Sequence, residues 1–273
     1  MEQPAEPGEL VRLDSDHPGF RDPAYRRRRN AIAQLAIDYR EGPVPEVAYT
    51  DEEQEVWRHV WSRLDPLHER RACRQVREAQ ALVPLDRRRI PQLAEVNRAL
   101  QPLTEIRLLP VPGLVSARQF MVRLGEGAFL ATQYMRHHSR PLYTPEPDVV
   151  HELVGHAATL GHPRFAALNR RFGALAERAD ERAIEGLIRV YWYTLEFGLV
   201  REGGELKAYG AGLLSSYGEL ETFETRAELR PLDLDRVAAT PFDPSDYQRW
   251  LYVAESFDAM EAALGAWLEK ESR

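Results

Sequence analysis

Residues 144–156 read TPEPDVVHELVGH. Thr144 is a favoured N-cap, and Pro145 and Pro147 fall where a missing backbone N–H removes only a donor that has no helical partner. A helix is therefore predicted to start at Pro145, with His151 and Glu152 in its later half. His151 and His156 are five residues apart, which on an ideal helix separates them by about 140°, so they share one ligand only if the backbone bends. Gly155 tolerates the left-handed conformation that ends helices and is the expected source of that bend. The run HELVGH is also one residue longer than the H-E-x-x-H of zinc hydrolases, which places both histidines on one face with the Glu as base.

A third donor is found downstream. Residues 190–200, VYWYTLEFGLV, contain one acid, Glu196, in an otherwise apolar or aromatic run. A carboxylate buried there without a cation would cost several kcal/mol, on the order of magnitude of an unpaired buried charge. A metal removes that cost. Two imidazoles and one carboxylate without a thiolate are the donor set of the facial triad of non-haem Fe(II), which leaves positions open for oxygen chemistry. Residue types and spacing leave a second reading open, in which the histidines are core or surface filler and Glu196 is a solvated helix residue.

Outward from these stretches the pattern is mostly helical. Ile32, Leu35, Ala36 and Tyr39 make one apolar stripe on a helix from Tyr25, with Arg26 to Arg29 as an exposed basic turn. Thr50 and Glu53 form a capping box for a helix carrying Val56, Trp57, Val60, Trp61 and Leu64. Further helices are expected over about 66–82 and 91–100, the second with Pro91 as its first residue. Residues 103–130 are rich in turn signals and suit a short strand or helix, and 230–246 is rich in Pro and Asp. A last amphipathic helix is read through Tyr252, Ser256, Phe257, Met260, Ala263, Leu264 and Trp267. The expected fold class is mainly α, an α+β arrangement with a few short strands, as one domain over 25–273 behind a flexible Pro-rich leader, 1–24.

Composition narrows the function. The 273 residues are 44% hydrophobic and carry 36 basic and 43 acidic side chains, a net charge of −7 that repels a polyphosphate, so no nucleic-acid partner is expected. Cys73 is the single cysteine, which rules out an intramolecular disulfide and a Cys-based zinc site. MEQPAEPGEL is no signal peptide and no run of about 18 apolar residues is present, so neither a membrane partner nor a location outside the cytoplasm is expected.

Six ordered blocks carry a resemblance. They are DHPGFRDPAYRRRR from residue 16, PVPGLVSARQF at 110–120, TQYMRHHSRPLYTPEPDVVHELVGH at 132–156, YWYTLEFGL at 191–199, KAYGAGLLSSYGEL at 207–220 and YVAESFDA at 252–259. On these the chain resembles the catalytic domain of the pterin-dependent aromatic amino acid hydroxylases. The resemblance implies His151, His156 and Glu196 as iron ligands, and Fe(II) with tetrahydrobiopterin or a related tetrahydropterin as cofactors for an O2-dependent ring hydroxylation. It implies Gly113, Leu114, Val115, Ser116, Phe120, Glu152 and Tyr191 at the pterin, where a Pro/Gly-bounded loop and a covering ring suit a heterocycle. It implies Arg136 as the holder of the substrate carboxylate, its planar fork suited to that group, with Thr144, Asp148 and Ser215 around it and Trp192 and Phe197 lining the ring pocket.

Two departures bear on chemistry and substrate. The animal members read F-H-C-T-Q-Y where this chain has Phe129, Leu130, Ala131, Thr132, Gln133 and Tyr134, which implies altered hydrogen bonding to the pterin. The indole branch tends to have Phe at Trp192 and the tyrosine branch Asp at Pro244, so L-phenylalanine, giving tyrosine, is the expected substrate. Meta hydroxylation, or tyrosine or tryptophan as substrate, stays open. Remoter alternatives are a metal-dependent hydrolase using His151, Glu152 and His156, and a non-catalytic small-molecule-binding relative. A monomer is expected, because the last helix is too short for a coiled-coil tail.

Overall fold

Helices dominate the structure, a computed structural model that describes residues 10–272. The chain runs α1 (Pro23–Asp38), α2 (Asp51–Arg71), α3 (Arg74–Leu82), α4 (Leu93–Thr104), β1 (Arg107–Pro110), α5 (Ala117–Gly125) and β2 (Ala128–Ala131). A π-helical turn, His151–Ala157, leads into α6 (Ala158–Leu160), followed by α7 (Pro163–Ala176), α8 (Glu181–Tyr191) and a second π-helical turn, Trp192–Glu196. Then come β3 (Leu199–Glu202), β4 (Glu205–Ala208), α9 (Ala211–Ser215), α10 (Tyr217–Arg226), β5 (Glu228–Pro231), α11 (Leu234–Ala239), β6 (Trp250–Ala254) and α12 (Phe257–Glu271). This is the mainly α arrangement with short strands that the pattern predicts.

The strands form two small sheets. β1 and β2 pair in parallel, and the other four lie in the order β4-β3-β6-β5. β3 and β4 make an antiparallel hairpin whose Gly203 and Gly204 have φ of 61° and 85°, the left-handed pair that a two-residue hairpin turn requires. β6 pairs in parallel with both β3 and β5. One contiguous hydrophobic core takes in residues from Val44 to Leu268, including Trp57 and Trp61 of α2, Phe165 and Phe172 of α7 and Met260 of α12.

Local rules place several boundaries correctly and misplace others. The Thr50/Glu53 capping box is present, with Thr50 N–H donating to Glu53 Oε2 at 2.8 Å and Glu53 N–H to Thr50 Oγ1 at 3.2 Å. The stretch expected as one helix over 66–82 is instead the end of α2 and all of α3. The break at Ala72 and Cys73 arises because the chain turns extended there to pair with β4, Cys73 N–H donating to Ala208 O at 3.0 Å. α4 starts at Leu93 and not at Pro91, because Glu95 closes a box onto the Gln92 N–H at 2.8 Å. Tyr252, read as part of the last helix, lies in β6, held by pairing with β5; Ser256 then caps α12 by accepting from Ala259 N–H at 3.0 Å.

The basic run is a further correction. α1 begins at Pro23, and Arg29 is not exposed: it is 2% accessible, its guanidinium carbon 3.2 Å from the Tyr134 ring centroid and its Nη1 3.2 Å from Glu146 Oε1. Arg28 forks onto Glu53 with two 2.8 Å hydrogen bonds. A stacked and paired guanidinium tolerates burial that a free one would not. Of the leader read over 1–24, residues 1–9 lie outside the described residues. The remainder is tied to the body by Leu10 and Val11 N–H donating to Asn30 Oδ1 and by His17, 5% exposed, stacked on Tyr25.

Candidate functional site

The helix that carries the histidines starts at Val149, four residues later than the Thr144 and Pro145 reading predicts. Pro147 keeps Glu146 out of the α region, so no helix can pass through Pro145 to Pro147. Thr144 instead turns its hydroxyl to Glu146 O at 2.7 Å, and Asp148 caps the helix by accepting from His151 N–H at 3.2 Å. From His151 the backbone winds as a π helix. With hydrogen bonds from residue i to i+5, this winding brings residues five apart onto one face, which solves the spacing problem of His151 and His156 without ending the helix. Gly155 is not in a left-handed conformation. Its role is close packing, since a Cβ there would stand 2.6 Å from Ala211 O of α9.

Glu196 arrives on the second π-helical turn. Its Oε1 is 2.8 Å from His156 Nε2, its Oε2 is 3.7 Å from His151 Nε2, and the two Nε2 atoms are 3.1 Å apart. Burial pulls the His151 imidazole down to about 4 despite the nearby carboxylate, which keeps it neutral as a ligand must be. Burial also works against charge on His156 and Glu196, but each stabilises the other's ion, so His156 is raised and Glu196 lowered. The two Nε2 atoms, 3.1 Å apart, share a proton when no ion is present, and with both lone pairs free they would turn to one cation. Donors bonded at about 2.1 Å and at right angles to one ion lie about 3 Å apart, close to two of the three separations observed, so the three side chains fit a metal ion.

The neighbours hold these donors in aim. Ser215 Oγ donates to Ala211 O at 2.9 Å, so its lone pair takes the Nδ1 proton of His151 at 3.1 Å and leaves Nε2 free to face the other donors. The Phe129 ring covers His156 at 4.6 Å between centroids. Glu152, 5% exposed, accepts at Oε1 from Thr132 N–H (3.1 Å) and Thr132 Oγ1–H (3.0 Å), and burial pushes its carboxyl up to about 7.

A cleft of about 710 Å³ opens over this centre. Of the residues singled out in the sequence, its wall takes in Leu114, Arg136, Thr144, His151, Trp192, Glu196, Phe197 and Ser215. Arg136 is fixed from behind: Nε and Nη2 fork onto Asp148 at 2.8 and 2.7 Å, and burial of that carboxylate is outweighed by the guanidinium, which holds it ionised. Nη1 is not engaged by this fork. Trp192 stacks on Phe242 at 4.2 Å and lies 4.7 Å from Phe197.

The expected pterin residues are placed less closely together. Leu114 is 73% exposed and Gly113 has open space beside it, whereas Ser116 caps α5 by accepting from Gln119 N–H. Phe120, half-buried, meets Phe129 and Tyr191 edge to face, while the Tyr191 hydroxyl donates to Asn169 Oδ1 at 2.9 Å in the core. Gly113, Val115, Ser116, Phe120, Glu152 and Tyr191 are not in the wall of the cleft. Sequence reasoning did not single out Glu219 or Gln248, which are in it. Gln248 Oε1 accepts from Trp192 Nε1–H at 2.9 Å, and its backbone N–H donates to Glu219 Oε1 at 2.9 Å. The Pro/Asp-rich character of 230–246 marked the adjoining loop, but nothing local marked these two residues.

A family model described as biopterin-dependent aromatic amino acid hydroxylase matches residues 9–273. The chain is 44% identical over 259 residues to phenylalanine-4-hydroxylase of Rattus norvegicus, covering 91% of this chain and 56% of that protein. It is 45% identical over 251 residues to tyrosine 3-monooxygenase of Mus musculus, covering 90% and 50%. The chain thus spans about half the length of these curated relatives. Among solved structures it is similar to phenylalanine hydroxylase of Chromobacterium violaceum with bound iron(III) and oxidised 7,8-dihydrobiopterin. The TM-score is 0.75 at 30% identity, over 82% of this chain and 83% of that one.

Proposed function

Since the chain belongs to the biopterin-dependent aromatic amino acid hydroxylase family, we propose that it hydroxylates the ring of free L-phenylalanine to tyrosine with O2. Fe(II) is held by His151, His156 and Glu196, with a tetrahydropterin beside it. The observation that carries this reading is the convergence of those three donors under a cleft whose wall also presents Arg136 and Trp192. Fe(II) and the pterin, when bound, supply the electrons and the activation of O2 that the ring hydroxylation needs. The chain's own share is positioning and exclusion of water.

Arg136, braced by Asp148, offers Nη1 to the substrate carboxylate, and Trp192 and Phe197 hold the ring. Leu114 lies open to solvent in the cleft wall, and half-buried Gly113 before it has space beside its Cα, which suits a loop that offers backbone groups to a heterocycle. Phe120 and Glu152 stand behind it as covering ring and hydrogen-bond partner. Tyr191 acts through Phe120, its own hydroxyl being committed to Asn169. A hydrolytic role for Glu152 is disfavoured because the donors that converge on one point are the two histidines and Glu196, and the family is one of hydroxylases.

Similarity to both phenylalanine and tyrosine hydroxylases leaves the substrate to the pocket. Pro244 in the cleft wall brings neither an N–H nor a polar side chain to a phenol, which favours phenylalanine. The test is product analysis with Fe(II), O2, a tetrahydropterin and phenylalanine, tyrosine or tryptophan at equal concentration. The expected result is tyrosine formed from phenylalanine faster than either other amino acid reacts, and no product with Zn(II) in place of iron. Pterin oxidation without any hydroxylated amino acid would contradict the proposal, and meta-tyrosine would contradict its regiochemistry.

A further inference from the structure

A second group of donors lies where α1 begins, against the residues that follow Arg136. Asp22 caps α1 through Oδ1, which accepts from Ala24 N–H at 2.8 Å and Tyr25 N–H at 3.1 Å. That leaves Oδ2, 3.2 Å from His137 Nε2. The His138 ring lies tilted against that of His137, centroids 4.3 Å apart and planes 31° apart. One oxygen of Asp22 and one nitrogen from each imidazole fall within 4.8 Å of one another. Glu52 stands beside them, its Oε1 3.1 Å from His138 Nδ1.

We propose that Asp22, His137 and His138 form a second divalent-metal site, separate from the His151, His156 and Glu196 centre and suited to Zn(II) and related transition ions. Two imidazoles with a carboxylate select such ions over Mg(II) or Ca(II), which prefer all-oxygen ligands. Donors bound at about 2.1 Å to one tetrahedral ion stand roughly 3.4 Å apart. The Asp22 to His137 separation of 3.2 Å already has that scale, and His138, 43% exposed, is free to close the rest by side-chain rotation. His137 is 7% exposed, and its Nδ1 meets Ser139 Oγ at 2.8 Å and the Ser139 N–H at 3.3 Å, so without an ion Nε2–H donates to Asp22; an ion at Nε2 displaces that proton to Nδ1, where the Ser139 hydroxyl turns to accept it and the Ser139 N–H gives up its contact. Glu52 or a water completes the fourth position. Asp22 and Glu52 together offset the charge of the ion. An ion there would tie the first turn of α1 to the segment that carries Arg136.

Zn(II) titration of the full chain, with metal content measured after equilibrium dialysis, tests the site without reference to hydroxylation. Wild type should hold about two equivalents, and His138→Ala about one, that of the three-residue centre. Asp22→Asn keeps a side-chain oxygen for the helix cap and should weaken the second equivalent while the fold is retained. A Co(II) titration followed by visible absorption should lose its second phase in the same two variants. One equivalent in wild type, or two in His138→Ala, overturns the proposal. Unchanged affinity for the second ion in Asp22→Asn removes the carboxylate and overturns it as well.

Discussion

On the deep side of the cleft, His151, His156 and Glu196 project from two π-helical turns packed so closely on the α9 region that Gly155 has no room for a Cβ against Ala211 O. On the rim, Leu114 is 73% exposed and a Cβ on Gly113 would meet nothing within 4 Å. The deep wall holds three donors by backbone contact and by hydrogen bonds such as that of Ser215 to His151. The rim can change its side chains without disturbing them. Chemistry common to a family belongs on the first kind of wall, and preference for a particular ligand on the second.

That contrast breaks most readily at Glu196. Glu196→Gln keeps the volume but removes the one anionic donor and the partner of His156. Iron retained after desalting and the hydroxylation rate should both fall by about 100-fold or more. Near-wild-type values at limiting iron would show that the deep wall does not hold the metal.

Gly155→Ala should come next. The added methyl forces α9 away from the histidine turn, at a cost of about 1–3 kcal/mol in urea unfolding and with weaker metal binding besides. An unchanged unfolding midpoint would mean that the two segments are not in tight contact.

These two residues also mark what was legible in the sequence. Glu196 stood out because a lone acid in an aromatic run needs a counter-charge, and the donor set then named the chemistry. Gly155 stood out too, but for a conformation it does not adopt. Reading a run at 3.6 residues per turn cannot foresee a π turn, because the extra residue is stabilised by what packs on it and not by its own propensity. Thr50 and Glu53 are legible because a capping box is local. Tyr252, the break at Cys73 and the burial of Arg29 escape a local reading because strand pairing and a stacked, paired guanidinium join residues far apart in the chain. The sequence places Ser215 only around the substrate, and its hold on His151 across 64 positions has no sequence signal.

A smaller effect is expected from Ser215→Ala. The centre keeps all three donors but loses the acceptor that fixes the His151 tautomer, so iron affinity should drop by about tenfold. Equal affinity in mutant and wild type would make Ser215 a cleft residue only. Gly113→Ala, on the rim, should change unfolding free energy by no more than about 0.5 kcal/mol. A loss comparable to that of Gly155→Ala would erase the difference between the two walls.

Anomalous diffraction at the iron edge, from crystals of the Fe(II)-loaded chain, would locate the metal among the donors. A peak is expected within bonding distance of His151 Nε2, His156 Nε2 and the Glu196 carboxylate, at the floor of the cleft that Arg136 and Trp192 line. Iron density absent from that position, or bonded there to Glu152 in place of Glu196, would contradict it.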